Sequence, residues 1–271
     1  LPEGLVRPGT AAILLLVLLM PHGARAQDKP VDPQVKAAVL ETRLGYIVTG
    51  RADIDRVTAA GLASLTQVLF SRTSAEMAQP AAVDLNAAQI GADMLSPYPI
   101  IYWRMTPDQA KPSPKAFAAI SSYLHHGGMI VFDAPEQAGA AAGAGSVAKL
   151  EDFLRMIDLP PLVRMADDHV LMRSFYLMQS LPGRFSDAPV YLEKGSSAND
   201  GVSSVVIGGN DWASAWAREA NGLPLFPVVP GGESQREMAY RAGVNMVMYA
   251  LTGNYKADQV HLPHIMQRLT Q

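Results

Sequence analysis

The chain of 271 residues contains no cysteine. That absence removes thiolate nucleophiles, cysteine-ligated zinc, iron–sulfur clusters and disulfides together, and it suits an oxidising compartment. Charge is also scarce: 17% of residues are charged, the net charge is -3 with pI ≈ 6.1, and no Lys/Arg-rich stretch stands out. Nucleic acid is attracted by a basic field, so nucleic-acid partners are set aside. Several chemistry-bearing motifs are missing as well. There is no G-x-S-x-G elbow, which counts against a serine hydrolase of that type. The P-loop Lys-Ser/Thr is absent, as is G-x-G-x-x-G at a strand–helix junction, so no nucleotide cofactor is expected. With neither H-x-H nor H-E-x-x-H, no metal site is expected.

What the chain does have is apolar residues, 49% of the total and ample for a core. The unbroken apolar run Ala11 to Met20, after Arg7 and before Ala24-Arg25-Ala26, has the order of a secretory leader. It is shorter than the roughly 20 residues that cross a bilayer, which favours a cleaved signal. The expected organisation is 1–26 as a signal peptide or the end of a membrane anchor, 27–34 as a linker, and 35–271 as one α/β domain. The expected location is periplasmic or attached to the outer face of the cytoplasmic membrane.

Beyond the linker, short apolar bursts alternate with helical stretches. Leu44 to Val48 reads as a strand, and Asp53 caps a helix to about Phe70. Tyr98 to Trp103 reads as a second strand, with Pro97 and Pro99 where they cost no central ladder bonds. A helix from Ser113 or Pro112 precedes the strand Met129 to Phe132, which ends in Asp133. Residues 138–146, AGAAAGAGS, read as a surface loop, followed by a helix over Leu150 to Ile157. Strands at Val190–Glu193 and Val202–Ile207 and a helix from about Glu233 to Leu251 complete the pattern. Repeated strand–helix–strand order predicts a mostly parallel sheet with helices on both faces.

The passage Tyr123 to Asp133, YLHHGGMIVFD, resembles the helix–GG–strand step of the class I glutamine amidotransferase-like superfamily. The resemblance implies a three-layer flavodoxin-like fold. The superfamily's cysteine-dependent amidotransferase chemistry does not carry over, because the nucleophile is missing. Longer motifs, DHVLMRSFY (Asp168 to Tyr176), LPGRF (Leu181 to Phe185), NDGVSSVVIGGNDWASAWA (Asn199 to Ala217) and the stretch Pro230 to Pro263, are similar to a bacterial family of unknown function, DUF4159. Its longer members join this domain to a membrane region of the aerotolerance-regulator BatA type. The resemblance therefore implies a membrane-protein assembly of that type as a partner, and no established activity.

Ligands of open α/β sheets bind outside the carboxyl ends of the strands, so residues just after strands are the candidates. These are Gly50, Arg104, Asp133, Asn210, Asp211 and Trp212, with Arg173 from the polar run that precedes the middle strands. Asp133 is either a general base or a loop cap that accepts backbone N–H bonds. Asp168 and His169 offer a carboxylate–imidazole pair. Gly208-Gly209-Asn210 before a helix offers backbone N–H groups to an anion. Trp212 and Trp216, four apart, are core residues or, if exposed, a platform for a sugar or peptide. Glu233, Glu237, Arg241 and Asn245 form a stripe on the last helix that either fastens it or lines a cleft. A non-catalytic ligand- or protein-binding domain is the first expectation. The rival is a hydrolase of a carbohydrate or peptide, with Asp133 or Asp168 as base and His169 as partner.

Overall fold

A strand buried on both faces sends alternate side chains to opposite sides. Along Ile100–Arg104 this feeds two cores, Ile100 and Tyr102 entering one, Ile101 and Trp103 the other. The computed structural model describes residues 41–135, 140–157, 159–194 and 202–269, with side chains from 144 in the helix opening at Ala140 and up to 252 in the last helix. The elements in chain order are β1 (Arg43–Ile47), α1 (Ala52–Arg72), β2 (Ala78–Val83), α2 (Ala92–Leu95), β3 (Ile100–Arg104), α3 (Pro114–His125) and β4 (Met129–Asp133). Then follow α4 (Ala140–Leu154), β5 (Leu162–Arg164), a 3-10 turn (Val170–Arg173), β6 (Tyr191–Glu193), β7 (Val205–Gly208), α5 (Trp212–Trp216) and α6 (Gly232–Leu269). The strands form one seven-stranded sheet in the order β2-β1-β3-β4-β7-β6-β5. Pairing is parallel from β2 through β7, and antiparallel for β6 and β5.

Helices cover both faces, as expected of a mostly parallel sheet. The first core joins Leu62, Leu65 and Leu69 of α1 to Trp212 and Trp216 of α5 and to Val244 and Val247 of α6. The second joins Phe117, Ile120 and Leu124 of α3 to Leu150 and Phe153 of α4, with Trp103 stacked on Phe132 at 5.3 Å between ring centroids. Gly61 is required where α1 crosses α5, because a Cβ there would collide with the Ala213 carbonyl.

Local signals explain most boundaries. Ser113 accepts the Ala116 N–H at 3.1 Å and Pro114 opens α3, a cap followed by the residue best preorganised for the first turn. At the other end of that helix, His125 and His126 place Nδ1 2.7 and 2.6 Å from the carbonyls of Ser121 and Ser122. Asp53 is not the cap of α1: Arg51 holds that position without a side-chain bond, and Asp53 lies in the first turn. Asp55 instead fastens the strand end, accepting from the Thr49 N–H at 2.8 Å and its hydroxyl at 2.7 Å.

Three further expectations change. Within the span expected as a loop, residues 140–146 are helical, since α4 runs from Ala140 to Leu154. Alanine is the strongest helix former, and Gly145 lies against Pro107 where a Cβ would come within 2.6 Å of its ring. Positions 138 and 139 lie outside the described residues. Two strands carry no readable pattern: β2 (AQPAAV) is alanine-rich with Pro80, tolerated because the strand is an edge, and β5 is three exposed residues at the opposite edge. The last helix extends past Leu251 to Leu269. The leader and linker assignments, 1–26 and 27–34, fall outside the described residues.

Candidate functional site

Strand register assembles the site. Arg104 pairs with Asp133, and Asp133 with Gly208, so the last residues of three central strands stand in one row at the carboxyl edge. Tyr102 is two residues before Arg104 and shares its face. Beyond β7 the chain must turn sharply over this row. Gly208 is needed because the Trp212 indole occupies the space of a Cβ, and Asp211 adopts the left-handed region with φ 56° and ψ 54°. That conformation is uncommon for a residue other than glycine or asparagine and persists where surrounding bonds determine it.

The bonds are explicit. Asp133 Oδ1 accepts the Asp211 N–H at 3.1 Å, and Oδ2 accepts the Trp212 N–H at 2.9 Å and the Tyr102 hydroxyl. The Tyr102 oxygen accepts in turn from the Ala213 N–H at 3.2 Å. Arg104 donates to Asp211 and lies 3.9 Å from Asp133, while Arg184 reaches the other Asp211 oxygen at 3.6 Å. Arg184 also lies over the rings of Phe185 and Phe226, at 5.4 and 4.9 Å. Asp133 is fully buried, Asp211 1% exposed, and the Arg104 side chain 13%.

Burial dominates the electrostatics. It pushes the Asp133 carboxyl up to about 6, against the pull of Arg104 and with the help of the Asp211 charge. Burial, then the Asp133 charge, lifts the Tyr102 phenol well above its ordinary range, so it is a hydrogen-bond donor and not a phenolate. For Arg104 burial works against the charge, and Asp211 and Asp133 more than offset it, raising its pKa.

The sheet edge thus gathers five of the candidates: Arg104, Asp133, Asn210, Asp211 and Trp212. They serve one another. The backbone N–H groups that receive the Asp133 carboxyl are those of Asp211 and Trp212, just past the Gly208-Gly209-Asn210 stretch expected to offer N–H groups to an anion. Asn210 accepts from Ala188 at 3.0 Å and donates to the carbonyls of Leu181 and Ala188 at 3.1 and 3.2 Å. Trp212 is fully buried with Nε1 bonded to the Leu181 carbonyl at 3.0 Å, and Trp216 is 2% exposed; both are core residues, so neither is a stacking platform. Tyr102 and Arg184 belong to the cluster although neither was a sequence candidate. The period-two spacing from Arg104 points to Tyr102; Arg184 lies in the LPGRF motif with no local sign of its reach to Asp211.

Gly50, three residues past the end of β1, adopts the left-handed region with φ 84° and is exposed, beside an Arg51–Asp108 ion pair at 3.4 Å. The Asp168–His169 pair lies at the other end of the sheet. His169 packs on the Tyr249 ring at 5.7 Å, and the Tyr249 hydroxyl accepts from Ser203, just before β7 begins, whereas Asp133 pairs where β7 ends. Five residues of strand, roughly 16 Å, separate those levels. His169 Nδ1 accepts the Leu171 N–H at 3.2 Å as a cap, and burial lowers its pKa against the pull of Asp168. Arg173 is exposed on the same segment. Among the described residues no group of three His, Cys, Asp or Glu could hold a metal.

The α6 stripe divides. Asn245, fully buried, accepts from Phe175 and Tyr176 N–H at 3.2 and 2.7 Å and donates to the Leu171 and Tyr176 carbonyls at 2.9 Å each, meeting the expectation of backbone partners. Glu237 takes a two-pronged bond from Arg72 of α1 at 2.8 and 2.9 Å and one from Arg241 at 3.0 Å. The Arg72 bonds first, then Arg241, hold its carboxyl below the usual range, with burial opposing. The stripe therefore both fastens α6 and lines a cleft, because Glu233 and Glu237 border an open cavity of about 480 Å³ with Ser64, Gln67 and Arg72 of α1 and Arg218.

The family model described as Domain of unknown function (DUF4159) matches residues 43–251, most of the chain and every described strand. The chain belongs to that family. No curated protein matches the sequence.

Proposed function

We propose that this DUF4159 domain is a non-catalytic ligand- or protein-binding domain of an exported or membrane-associated bacterial protein. The observation that carries the reading is the engagement of Asp133. Asp133, the strand-end carboxylate expected as the catalytic base, accepts from two backbone N–H groups and a tyrosine hydroxyl, at zero exposure. A general base needs hydrogen-bond reach to a substrate proton, and these lone pairs face inward. His169, the expected imidazole partner, stands at the opposite edge and caps a turn of its own.

The order β2-β1-β3-β4 followed by β7 supports a flavodoxin-like scaffold of the class I glutamine amidotransferase-like type, whose strands run 2-1-3-4-5. The apolar run and the Ala-Arg-Ala triplet support a periplasmic location or attachment to the outer face of the cytoplasmic membrane. No helix among the described residues is long and apolar enough to cross a membrane, so on this reading attachment falls to the apolar run or to a partner assembly of BatA type. The exposed Leu223, Leu225 and Val229, the last bonded to the Arg184 carbonyl, add apolar surface of the kind a protein partner covers.

The test is turnover of chromogenic ester, phosphate and glycoside substrates by the wild type and by Asp133→Asn. No turnover is expected from either. Turnover by the wild type that disappears in Asp133→Asn overturns the reading in favour of the hydrolase.

A further inference from the structure

The α1–α6 cleft presents polar groups with nothing to bind on an open cavity. Its lining carries three guanidinium groups, Arg72, Arg218 and Arg236, against two carboxylates, Glu233 and Glu237. Arg236 is 2% exposed and every nitrogen is engaged: Nε holds Glu233 at 2.9 Å, while Nη1 and Nη2 bond the carbonyls of Ala215 and Phe226 at 2.6 Å each. Arg72 is committed to Glu237. Arg218 is different. Its Nε donates to the Tyr240 hydroxyl at 3.0 Å and Nη1 to the Gly222 carbonyl at 2.7 Å, leaving Nη2 without a partner among the described residues. The Tyr240 hydroxyl is itself turned to the Trp216 carbonyl at 2.7 Å, which fixes the ring on which the guanidinium rests, 5.6 Å from its centroid. Ser64 and Gln67 of α1 line the same cleft with no partner for either side chain among the described residues.

A surplus positive charge, a guanidinium edge held in place by three contacts, and a hydroxyl and an amide lining the same cleft form a set of donors suited to an acceptor-rich anion. The volume falls within the roughly 300–1,000 Å³ typical of small-molecule sites. The wide mouth admits the rest of a polar ligand. We infer that the α1–α6 cleft is a binding site for a small polar molecule through its oxyanion, a carboxylate or a phosphate, with Arg218 as the anchoring cation and Gln67 and Ser64 as flanking donors. The inference deepens the binding-domain reading by naming the ligand class, and it places the ligand in a cleft whose lining does not include Arg104, Asp133 or Asp211.

The experiment is isothermal titration of the full chain with sodium phosphate and with sodium glucuronate, with glucose as the neutral control, at low and high salt. Saturable binding of phosphate or glucuronate is expected, none of glucose, and weaker binding at high salt. Response to phosphate alone identifies a phosphate-bearing ligand, and response to glucuronate alone a carboxylate. Arg218→Ala is expected to weaken binding about tenfold or more, the loss of one charge-assisted bond. Because Arg218 also braces its own loop, the decisive variant is Gln67→Glu, on an exposed position of α1 that supports no other group. It sets a negative charge against the ligand and is expected to weaken binding at least about tenfold with an unchanged melting temperature. Absence of binding by both anions up to about 20 mM, well above the millimolar range of a weak site, overturns the inference, as does binding that Gln67→Glu leaves intact. Either failure leaves the non-catalytic reading standing, whereas substrate turnover sinks that reading whatever the cleft binds.

Discussion

Two carboxylate–guanidinium clusters occupy this domain, and they are chemically alike and physically opposite. At the sheet edge the carboxylates of Asp133 and Asp211, 0 and 1% exposed, meet Arg104 and Arg184; in the α1–α6 cleft Glu237 meets Arg72 and Arg241 with more than a third of its side chain exposed. Burial decides the direction of titration. The Asp133 carboxyl is pushed up because desolvation exceeds the help of Arg104, while Glu237 is held down because its arginine bonds exceed a mild desolvation. The same two functional groups, carboxylate and guanidinium, therefore make a structural staple in one place and a half-open, water-facing surface in the other.

The contrast breaks most visibly at Asp133. Asp133→Asn turns an acceptor-only group into one whose amide faces the Trp212 or the Asp211 N–H, and it leaves Arg104 beside one carboxylate instead of two. A loss of about 3–5 kcal/mol is expected, as for removing one partner of a buried ionic network. Urea unfolding measures it, and a loss below about 1 kcal/mol would mean that Asp133 is not the fastening of the β7–α5 turn.

Asn245 sharpens the point that burial and not charge sets the size of these effects. It carries no charge, yet four backbone groups of the Leu171–Tyr176 segment depend on it. Asn245→Ala is expected to cost about 2–4 kcal/mol, since buried N–H and C=O groups lose their partners. Faster amide exchange at Phe175 and Tyr176 would localise the loss.

Much of this was legible in the amino-acid sequence, and the failures have a common cause. Strands buried on both faces announce themselves as β-branched and aromatic runs, so β1, β3, β4 and β7 read clearly. Edge strands need neither face to be apolar, so Ala78–Val83 and Leu162–Arg164 left no pattern. Residues 140–146 looked like a loop because small side chains pack poorly in isolation, but helix propensity and the close approach to Pro107 decide there. For the site, position after a strand correctly gathered Arg104, Asp133 and Asp211 at one edge. It could not tell a surface that binds from a staple that closes, because that depends on which donors a turn 78 residues away delivers to the same carboxylate. The cleft arginines were invisible for the same reason: Arg72 and Arg218 reach α6 only through tertiary packing.

The pH dependence separates the clusters further. A carboxyl raised in the folded state favours the protonated native form between its unfolded value, near 4, and its folded value, so folding binds protons there. The contribution of Asp133 is fully present below about pH 4 and is lost as pH rises through about 6. Glu237 has the reverse sign: its contribution is present above about pH 4.3 and is lost as pH falls through its depressed value. Stability measured from pH 3 to 7 in the wild type minus that in Asp133→Asn is expected to fall over pH 4 to 6. A difference that rises over that window would place the folded Asp133 below its ordinary range and make Arg104, not burial, the dominant influence.

The smallest effect is expected at Glu237, and it tests the comparison from the other side. Glu237→Gln keeps the side-chain shape and can still accept from Arg72 or Arg241, but it removes the charge that holds two arginines. Because the three groups are 32–40% exposed, water already screens the pair and holding long side chains together costs entropy; a change of about 0.5 kcal/mol, and no more than about 1, is expected. The loss should shrink as ionic strength rises, whereas the Asp133→Asn loss should barely respond, since the Debye length of about 10 Å at 0.1 M screens surface pairs and not buried ones. A Glu237→Gln loss of several kcal/mol, insensitive to salt, would make the cleft cluster a second structural staple and erase the distinction between a closed edge and an open, ligand-accepting cleft.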